Sequence, residues 1–106
     1  MSYAHINVWR LSEAGTSWES TTAREIGEHL RQQPGFLFYG LIRTAEWEAI
    51  AVTIFASAHA LENALMRIAP LVRDRLAPLT AGEPERRKGV VIYAVTAGGE
   101  FDARAA

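Results

Sequence analysis

Two apolar runs separated by a very short break constrain the fold of this 106-residue chain most strongly. The runs are residues 36–43 and 47–55, and only three residues lie between them. A connection this short joins two strands only as an antiparallel hairpin, because parallel strands need a crossover of about a dozen residues. Both alternating sets of the first run are apolar, so the hairpin must be covered on two sides. These sets are Phe36, Phe38 and Ile42 on one face, and Leu37, Tyr39 and Leu41 on the other.

Periodic patterns outside the hairpin predict a strand and two helices. A β-branched and aromatic run over residues 4–11 predicts the first strand. Apolar residues at helical spacing after residue 20 predict a first helix, which Pro34-Gly35 ends. Ser57 is a favourable N-cap for a second helix, in which Pro70 is expected to introduce a kink or a division into two pieces.

The C-terminal third of the chain is expected to hold a loop, one strand and a tail. The charged cluster at residues 83–88 is interpreted as the solvated face of a loop. The continuous apolar run at residues 90–95 predicts the last strand. A loose tail is expected from about residue 98.

The resulting order of strand, helix, strand, strand, helix, strand predicts a ferredoxin-like α+β fold in one domain spanning residues 1–106. Both helices are expected on one face of a four-stranded antiparallel sheet. The other face would then stay bare, although the predicted strands are apolar on both sides. A second copy of the chain is the simplest cover, so the sequence predicts a homodimer formed through the sheet face.

Composition excludes several classes of partner and site. With 11 basic and 12 acidic side chains, the chain has no excess positive charge that would predict a nucleic-acid partner or an anionic membrane surface. No apolar run approaches the roughly 20 residues of a membrane-spanning helix. The chain has no cysteine, which excludes thiolate nucleophiles and disulfides and fits the reducing cytoplasm.

Two local cues carry a resemblance to a known family. They are Pro34-Gly35-Phe36 between the first helix and second strand, and Thr53-Ile54-Phe55-Ala56-Ser57 running into the second helix. With these cues the chain resembles the dimeric α+β barrel proteins, and within them the antibiotic-biosynthesis-monooxygenase-like (ABM) family. The resemblance implies a small cavity between helices and sheet, used for cofactor-independent oxygenation of aromatic polyketide-like substrates with dioxygen or for oxidative haem breakdown.

The haem branch of this resemblance fits the chain at one of three places. Haem-degrading relatives use an asparagine on the first strand, a tryptophan at the end of the third strand and a histidine on the following helix. Asn7 matches the asparagine, but Phe55 stands at the tryptophan position and the helical face near Leu65 offers no histidine. Haem is therefore not expected, and no other cofactor is implied.

The first strand carries the candidate catalytic row. His5, Asn7 and Trp9 share one face by the two-residue period. Asparagine is a poor strand former, and its amide can hold a carbonyl, dioxygen or a peroxy group by hydrogen bonds. The alternatives are an edge asparagine bonded to a loop and a tryptophan that only packs in the core.

Other candidates lie on the later elements. His59, near the start of the second helix, is a candidate base because the helix dipole favours neutral imidazole, and its alternative is a surface histidine that caps the helix. Tyr39, Phe55 and Leu65 are candidates for binding substrate. The three histidines have no metal-ligand spacing, so no metal is predicted.

These observations favour a monooxygenase-like enzyme that acts on an aromatic or polyketide-like small molecule. Two alternatives stay open at this stage. One is a non-catalytic homodimer that binds a small ligand or serves a structural role, and the other is a haem-binding or haem-degrading protein.

Overall fold

The elements follow the order strand, helix, strand, strand, helix, strand that the sequence predicts. The computed structural model describes residues 1–12 and 19–102. Its elements are β1 (Tyr3–Arg10), α1 (Glu19–Arg31), β2 (Phe36–Ala45), β3 (Glu48–Phe55), α2 (Ala58–Leu76), β4 (Glu85–Val90), β5 (Tyr93–Thr96) and β6 (Gly99–Asp102). The strands β2-β3-β1-β4, in this order, form one antiparallel sheet. The predicted ferredoxin-like α+β architecture is confirmed.

Both helices pack on the same face of this sheet. Ile26 and Leu30 of α1 meet the buried side chains of α2 over Phe55, at the end of β3. The residues that α2 contributes to this core are Leu61, Ala64, Ile68 and Leu76. These residues are three, four and eight positions apart, so they lie on one apolar stripe that an amphipathic helix turns toward a sheet. No helix in the described ranges is long and apolar enough to cross a membrane.

Two features of α2 test the expectations from the sequence: its N-cap and its path through Pro70. The predicted N-cap is confirmed, because the backbone N–H of Ala60 donates to Ser57 Oγ at 3.1 Å. Of the kink or division expected at Pro70, the division is wrong, since α2 runs unbroken through this residue, and the kink stays a prediction. Pro70 is exposed, as is Met66, whose carbonyl loses its helical donor at this point. Solvent can satisfy that carbonyl, so the helix continues.

Gly35 ties the start of β2 to the start of α2. Its φ is 85°, a conformation that favours glycine, and an added Cβ would lie 3.0 Å from the Cβ of Ala60. Its carbonyl accepts a hydrogen bond from the N–H of Ala56 at 2.8 Å. Next to it, the rings of Phe36 and Phe55 pack edge to face at 5.6 Å between centroids. The Pro34-Gly35-Phe36 cue therefore marks a close contact between β2 and α2.

A register shift in β2 changes which residues share a face. Phe36 pairs with Phe55 and Phe38 pairs with Ile54, so Leu37 has no opposite residue. This irregularity places Phe36 on the helix-covered face with Tyr39, while Phe38 faces the other way. The expectation that Phe36 and Phe38 share a face is wrong for this reason.

The last strand of the sheet lies earlier in the chain than expected. β4 spans Glu85–Val90 and pairs with β1, so the interpretation of residues 83–88 as a solvated loop is wrong, as is a last strand at 90–95. An edge strand needs a backbone partner on one side only, and charged side chains suit its exposed position. A prediction from apolar content alone therefore placed this strand too late in the chain.

Residues beyond β4 form a separate hairpin. β5 and β6 pair only with each other, in a two-stranded sheet outside the main one. The expected loose tail from about residue 98 is wrong as far as Asp102, because β6 occupies Gly99–Asp102. Three large apolar side chains are exposed here: Ile92, just before β5, and Tyr93 and Val95 within it.

Candidate functional site

A cavity of about 750 Å³ lies between α2 and the covered face of the sheet. Its floor is the row of His5, Asn7 and Trp9 on β1. Leu65, Ile68 and Val72 of α2 cover it, and side chains of β4 form one wall. The residues of β4 and part of α2 around it are exposed, so the cavity opens between these two elements.

Small residues on β3 create the space. Ala51 and Thr53 lie directly opposite Asn7 and His5 in the antiparallel pairing, and both line the cavity. They are 7% and 4% exposed. A larger side chain at either position would fill the floor, since cross-strand Cβ atoms lie only about 5 Å apart. The alternation of small residues in β3 therefore leaves room for a ligand.

Asn7 has an unusual hydrogen-bonding state. Its Oδ1 is buried and accepts no hydrogen bond from the described part of the chain. A buried polar atom without a partner costs about 1–3 kcal/mol, so such atoms are rare in folded proteins. Because Asn7 lines the cavity, a ligand that carries an O–H or N–H group can satisfy this oxygen.

His5 lies next to Asn7 on the floor and is 5% exposed. Burial lowers the pKa of its imidazole, and the nearby positive charges of Lys88 and Arg86 lower that pKa further. All three effects disfavour the imidazolium. A neutral imidazole, able to accept a proton, therefore faces the cavity at neutral pH.

Tyr39 lies on β2, at the edge of the sheet opposite to β4, and its side chain reaches the cavity on the helix-covered face. Burial raises the pKa of its phenol to about 12, so the hydroxyl keeps its proton at neutral pH. Gly27 of α1 packs on the ring, where an added Cβ would lie 3.3 Å from Tyr39 Cδ2. This close approach holds a neutral hydrogen-bond donor in place.

The structure gathers most of the candidate residues at one place. The residues His5, Asn7, Trp9, Tyr39 and Leu65 all line the cavity. His59 is not among the lining residues; it is exposed on α2, where its Nε2 lies 3.2 Å from Asn63 Nδ2. Phe55 is fully buried in the core against Phe36 and also lies outside the lining.

Sequence reasoning missed several polar lining residues. They are Thr53 on β3, Glu62 and Arg73 on α2, Glu83 before β4, and Arg86 and Lys88 on β4. Arg86, Lys88 and Val90 follow the two-residue spacing of a strand. This pattern was overlooked because two of the three residues are charged. Thr53 could have been found from the alternation of Ala49, Ala51, Thr53 and Phe55.

The lining combines apolar walls with a few polar groups, as small-molecule sites do. An unpaired amide oxygen, a neutral imidazole and a neutral phenol face the same space as cationic side chains of β4. Such a set can bind a flat ligand, remove a proton from it and stabilise the negative charge that develops. Within the ranges the structure describes, no three potential metal ligands come together.

Comparisons with known proteins identify the fold. No protein-family model matches the sequence, and no curated protein is significantly similar to it. Among solved structures, SnoaB, a cofactor-independent oxygenase from Streptomyces nogalater, is 17% identical with a TM-score of 0.71, over 85% of this chain and 92% of that protein. Rv0793 from Mycobacterium tuberculosis is 14% identical with a TM-score of 0.70, over 84% and 93% of the two chains.

A candidate antibiotic biosynthesis monooxygenase from Nitrosomonas europaea is 14% identical with a TM-score of 0.72, over 83% of this chain and 88% of that one. The chain has the ABM-like fold. The resemblance seen in the sequence is thus confirmed for the fold.

Proposed function

We propose that the protein is a cofactor-independent monooxygenase that oxidises an aromatic or polyketide-like small molecule with dioxygen. The observation that carries this proposal is the buried, unpaired Oδ1 of Asn7 beside the neutral imidazole of His5, in a cavity of about 750 Å³. The fold shared with SnoaB, itself a cofactor-independent oxygenase, supports it.

The proposed reaction converts an activated CH₂ group of the substrate into a carbonyl. His5 removes a proton from this carbon, and the carbanion reduces dioxygen to form a carbon-bound peroxide anion. The protonated His5 returns its proton to this anion, which becomes a hydroperoxide and leaves His5 neutral again. The hydroperoxide O–H donates to Asn7 Oδ1. The O–O bond then breaks as the second proton leaves the carbon, which releases one water and leaves the other oxygen atom in the carbonyl. The substrate supplies all the electrons, so atoms and charge balance without a further reductant.

The remaining lining residues position the substrate in this scheme. The indole of Trp9 offers an apolar surface for a flat ring, and the hydroxyl of Tyr39 donates to a ring oxygen. His59 has no role, because it lies on the exposed side of α2 away from the cavity. The base is assigned instead to His5.

Oxygen uptake tests the proposal. We expect the protein to consume oxygen with dithranol, a tricyclic anthrone that carries an activated CH₂ group, in buffer containing a chelator. Asn7→Ala should lower the rate about 100-fold, the typical effect of losing one stabilising hydrogen bond in the transition state. Asn63→Ala is the matched control, since this asparagine is exposed and does not line the cavity. Binding of dithranol without uptake would contradict the enzyme and indicate a non-catalytic ligand-binding protein.

We further propose that the protein works as a cytoplasmic homodimer. The bare face of the sheet is apolar at its centre, with Ile6, Val8, Val52 and Ile54 on adjacent strands, and Ile42 at its edge is 54% exposed. Charged residues Arg10 and Glu48 lie at one end of the same face. An apolar centre with a charged rim is the usual composition of an interface between copies. The cysteine-free composition supports the cytoplasm.

A further inference from the structure

We propose that Arg86 and Lys88 form a carboxylate subsite in the cavity wall, so that the ligand is a flat aromatic monoanion. This inference rests on the proposed function only in that both use the same cavity. It names a substrate class, an aromatic acid, that the fold does not specify.

The pairing of β4 with β1 places both cations beside the reactive floor. Arg86 is the direct partner of Asn7, and Lys88 is the direct partner of His5. Residues two apart on a strand share a face, and both side chains line the cavity. Arg87, between them, belongs to the opposite face of the strand. A carboxylate held by the two cations would therefore lie next to the unpaired amide oxygen of Asn7.

Neither cation is held in a close ion pair within residues 1–12 and 19–102. The contact of Arg86 with Glu83 is long, at 3.8 Å, and the Glu83 side chain is 93% exposed. Lys88 forms no ion pair within the described part of the chain. By comparison, Arg75 and Glu25 form a close pair at 2.8 Å that joins α2 to α1.

The charge of the lining selects a monoanion. The cavity is lined by three cations, Arg73, Arg86 and Lys88, and by two carboxylates, Glu62 and Glu83. The excess of one positive charge matches one carboxylate better than a dianionic phosphate. A guanidinium and an ammonium ion also bind carboxylate through strong, charge-assisted hydrogen bonds.

Two probes of nearly identical shape test this subsite. 2-Naphthoate carries the carboxylate, and 2-naphthamide replaces it with a neutral amide. In calorimetric titrations at low salt, we expect the naphthoate to bind about tenfold more tightly than the amide, which corresponds to about 1.4 kcal/mol. Backbone amide shifts at His5 and Asn7 in NMR spectra would place both probes in the cavity.

Variants of β4 identify the residues responsible. Lys88→Gln and Arg86→Gln should each reduce the preference for naphthoate, and the double variant should abolish it while naphthamide affinity stays unchanged. Arg87→Gln is the matched control and should keep the preference. Circular dichroism checks that each variant folds. If the double variant does not fold, the loss of preference in the single variants still tests the subsite.

The outcomes separate this inference from the proposed function. Equal binding of the two probes to the wild-type protein, or an undiminished preference in the variants, would overturn the carboxylate subsite while the oxygenase proposal stands. Failure of both probes to bind would contradict the use of this cavity and so count against both proposals.

Discussion

Polar residues on an otherwise apolar strand are the informative residues of this protein. Asn7 breaks the apolar pattern of β1, and its Oδ1 is buried at the cavity with no hydrogen-bond partner among the residues that the structure describes. His5 lies beside it with its imidazole held neutral by burial and by two cations of β4. The sequence pointed to both residues because the two-residue period of a strand puts them on one face. It could not show that β4 would bring positive charge next to them.

The pH dependence of His5 provides a residue-scale prediction. Its pKa lies below the ordinary 6.5 in the folded protein, owing to burial, Lys88 and Arg86. Between the lowered pKa and 6.5 the unfolded chain binds more protons than the folded one, so the free energy of unfolding should fall as the pH drops from 7 to 5. Oxygen uptake should persist at pH 6.5, where an ordinary histidine is half protonated.

Chemical denaturation at pH 7 and pH 5 measures this effect. The other charged groups that line the cavity are the same in the wild-type protein and in the His5 variant. They are Glu62, Arg73 and Glu83. His5→Gln should remove part of the pH dependence that the wild-type protein shows. An NMR titration in which His5 protonates at or above pH 6.5 would contradict the assignment.

At the scale of elements, the strand and helix order was predictable, but two strand details were not. The antiparallel hairpin of β2 and β3 follows from a short connection, and α2 follows from its apolar stripe and Ser57 cap. The bulge at Leu37 is invisible to a strict two-residue period. β4 is held by backbone pairing with β1 rather than by apolar burial, so its charged residues were mistaken for a loop.

The small residues of β3 lead to an element-scale prediction. Ala51→Leu should fill the floor opposite Asn7 and weaken 2-naphthoate binding at least about tenfold, because the new side chain occupies the ligand's volume. Val52→Leu is the matched control, one residue along the strand on the other face. Calorimetric titration measures both, and thermal unfolding checks the fold. Unchanged naphthoate affinity in Ala51→Leu would mean that the ligand binds elsewhere.

At the scale of the whole molecule, a single copy of the chain leaves two apolar surfaces exposed. They are the bare face of the sheet and the hairpin of β5 and β6. Phe38 and Ile42 are 40% and 54% exposed on the bare face, and the β5-β6 region exposes three more large apolar side chains. Exposed apolar area of this kind is typical of an interface. We propose that a second copy related by a two-fold axis covers the bare face.

Light scattering coupled to gel filtration tests the dimer. The wild-type protein should elute with twice the 11.7 kDa mass of the chain. Ile42→Glu should shift it toward the monomer, because a buried carboxylate at the interface is costly. Met66→Glu is the control, since this residue is 74% exposed on α2 and away from the bare face. A monomeric wild-type protein at working concentration would refute the homodimer.

Isotope labelling provides the most direct test of the oxygenase activity that we propose for the cavity of Asn7 and His5. Dithranol is turned over under ¹⁸O₂ in ordinary water, and the product is analysed by mass spectrometry, early enough to precede exchange. We predict one ¹⁸O atom in the new carbonyl with the wild-type protein, and a rate about 100-fold lower with Asn7→Ala. A product without the label, or one formed equally fast by Asn7→Ala, would contradict it.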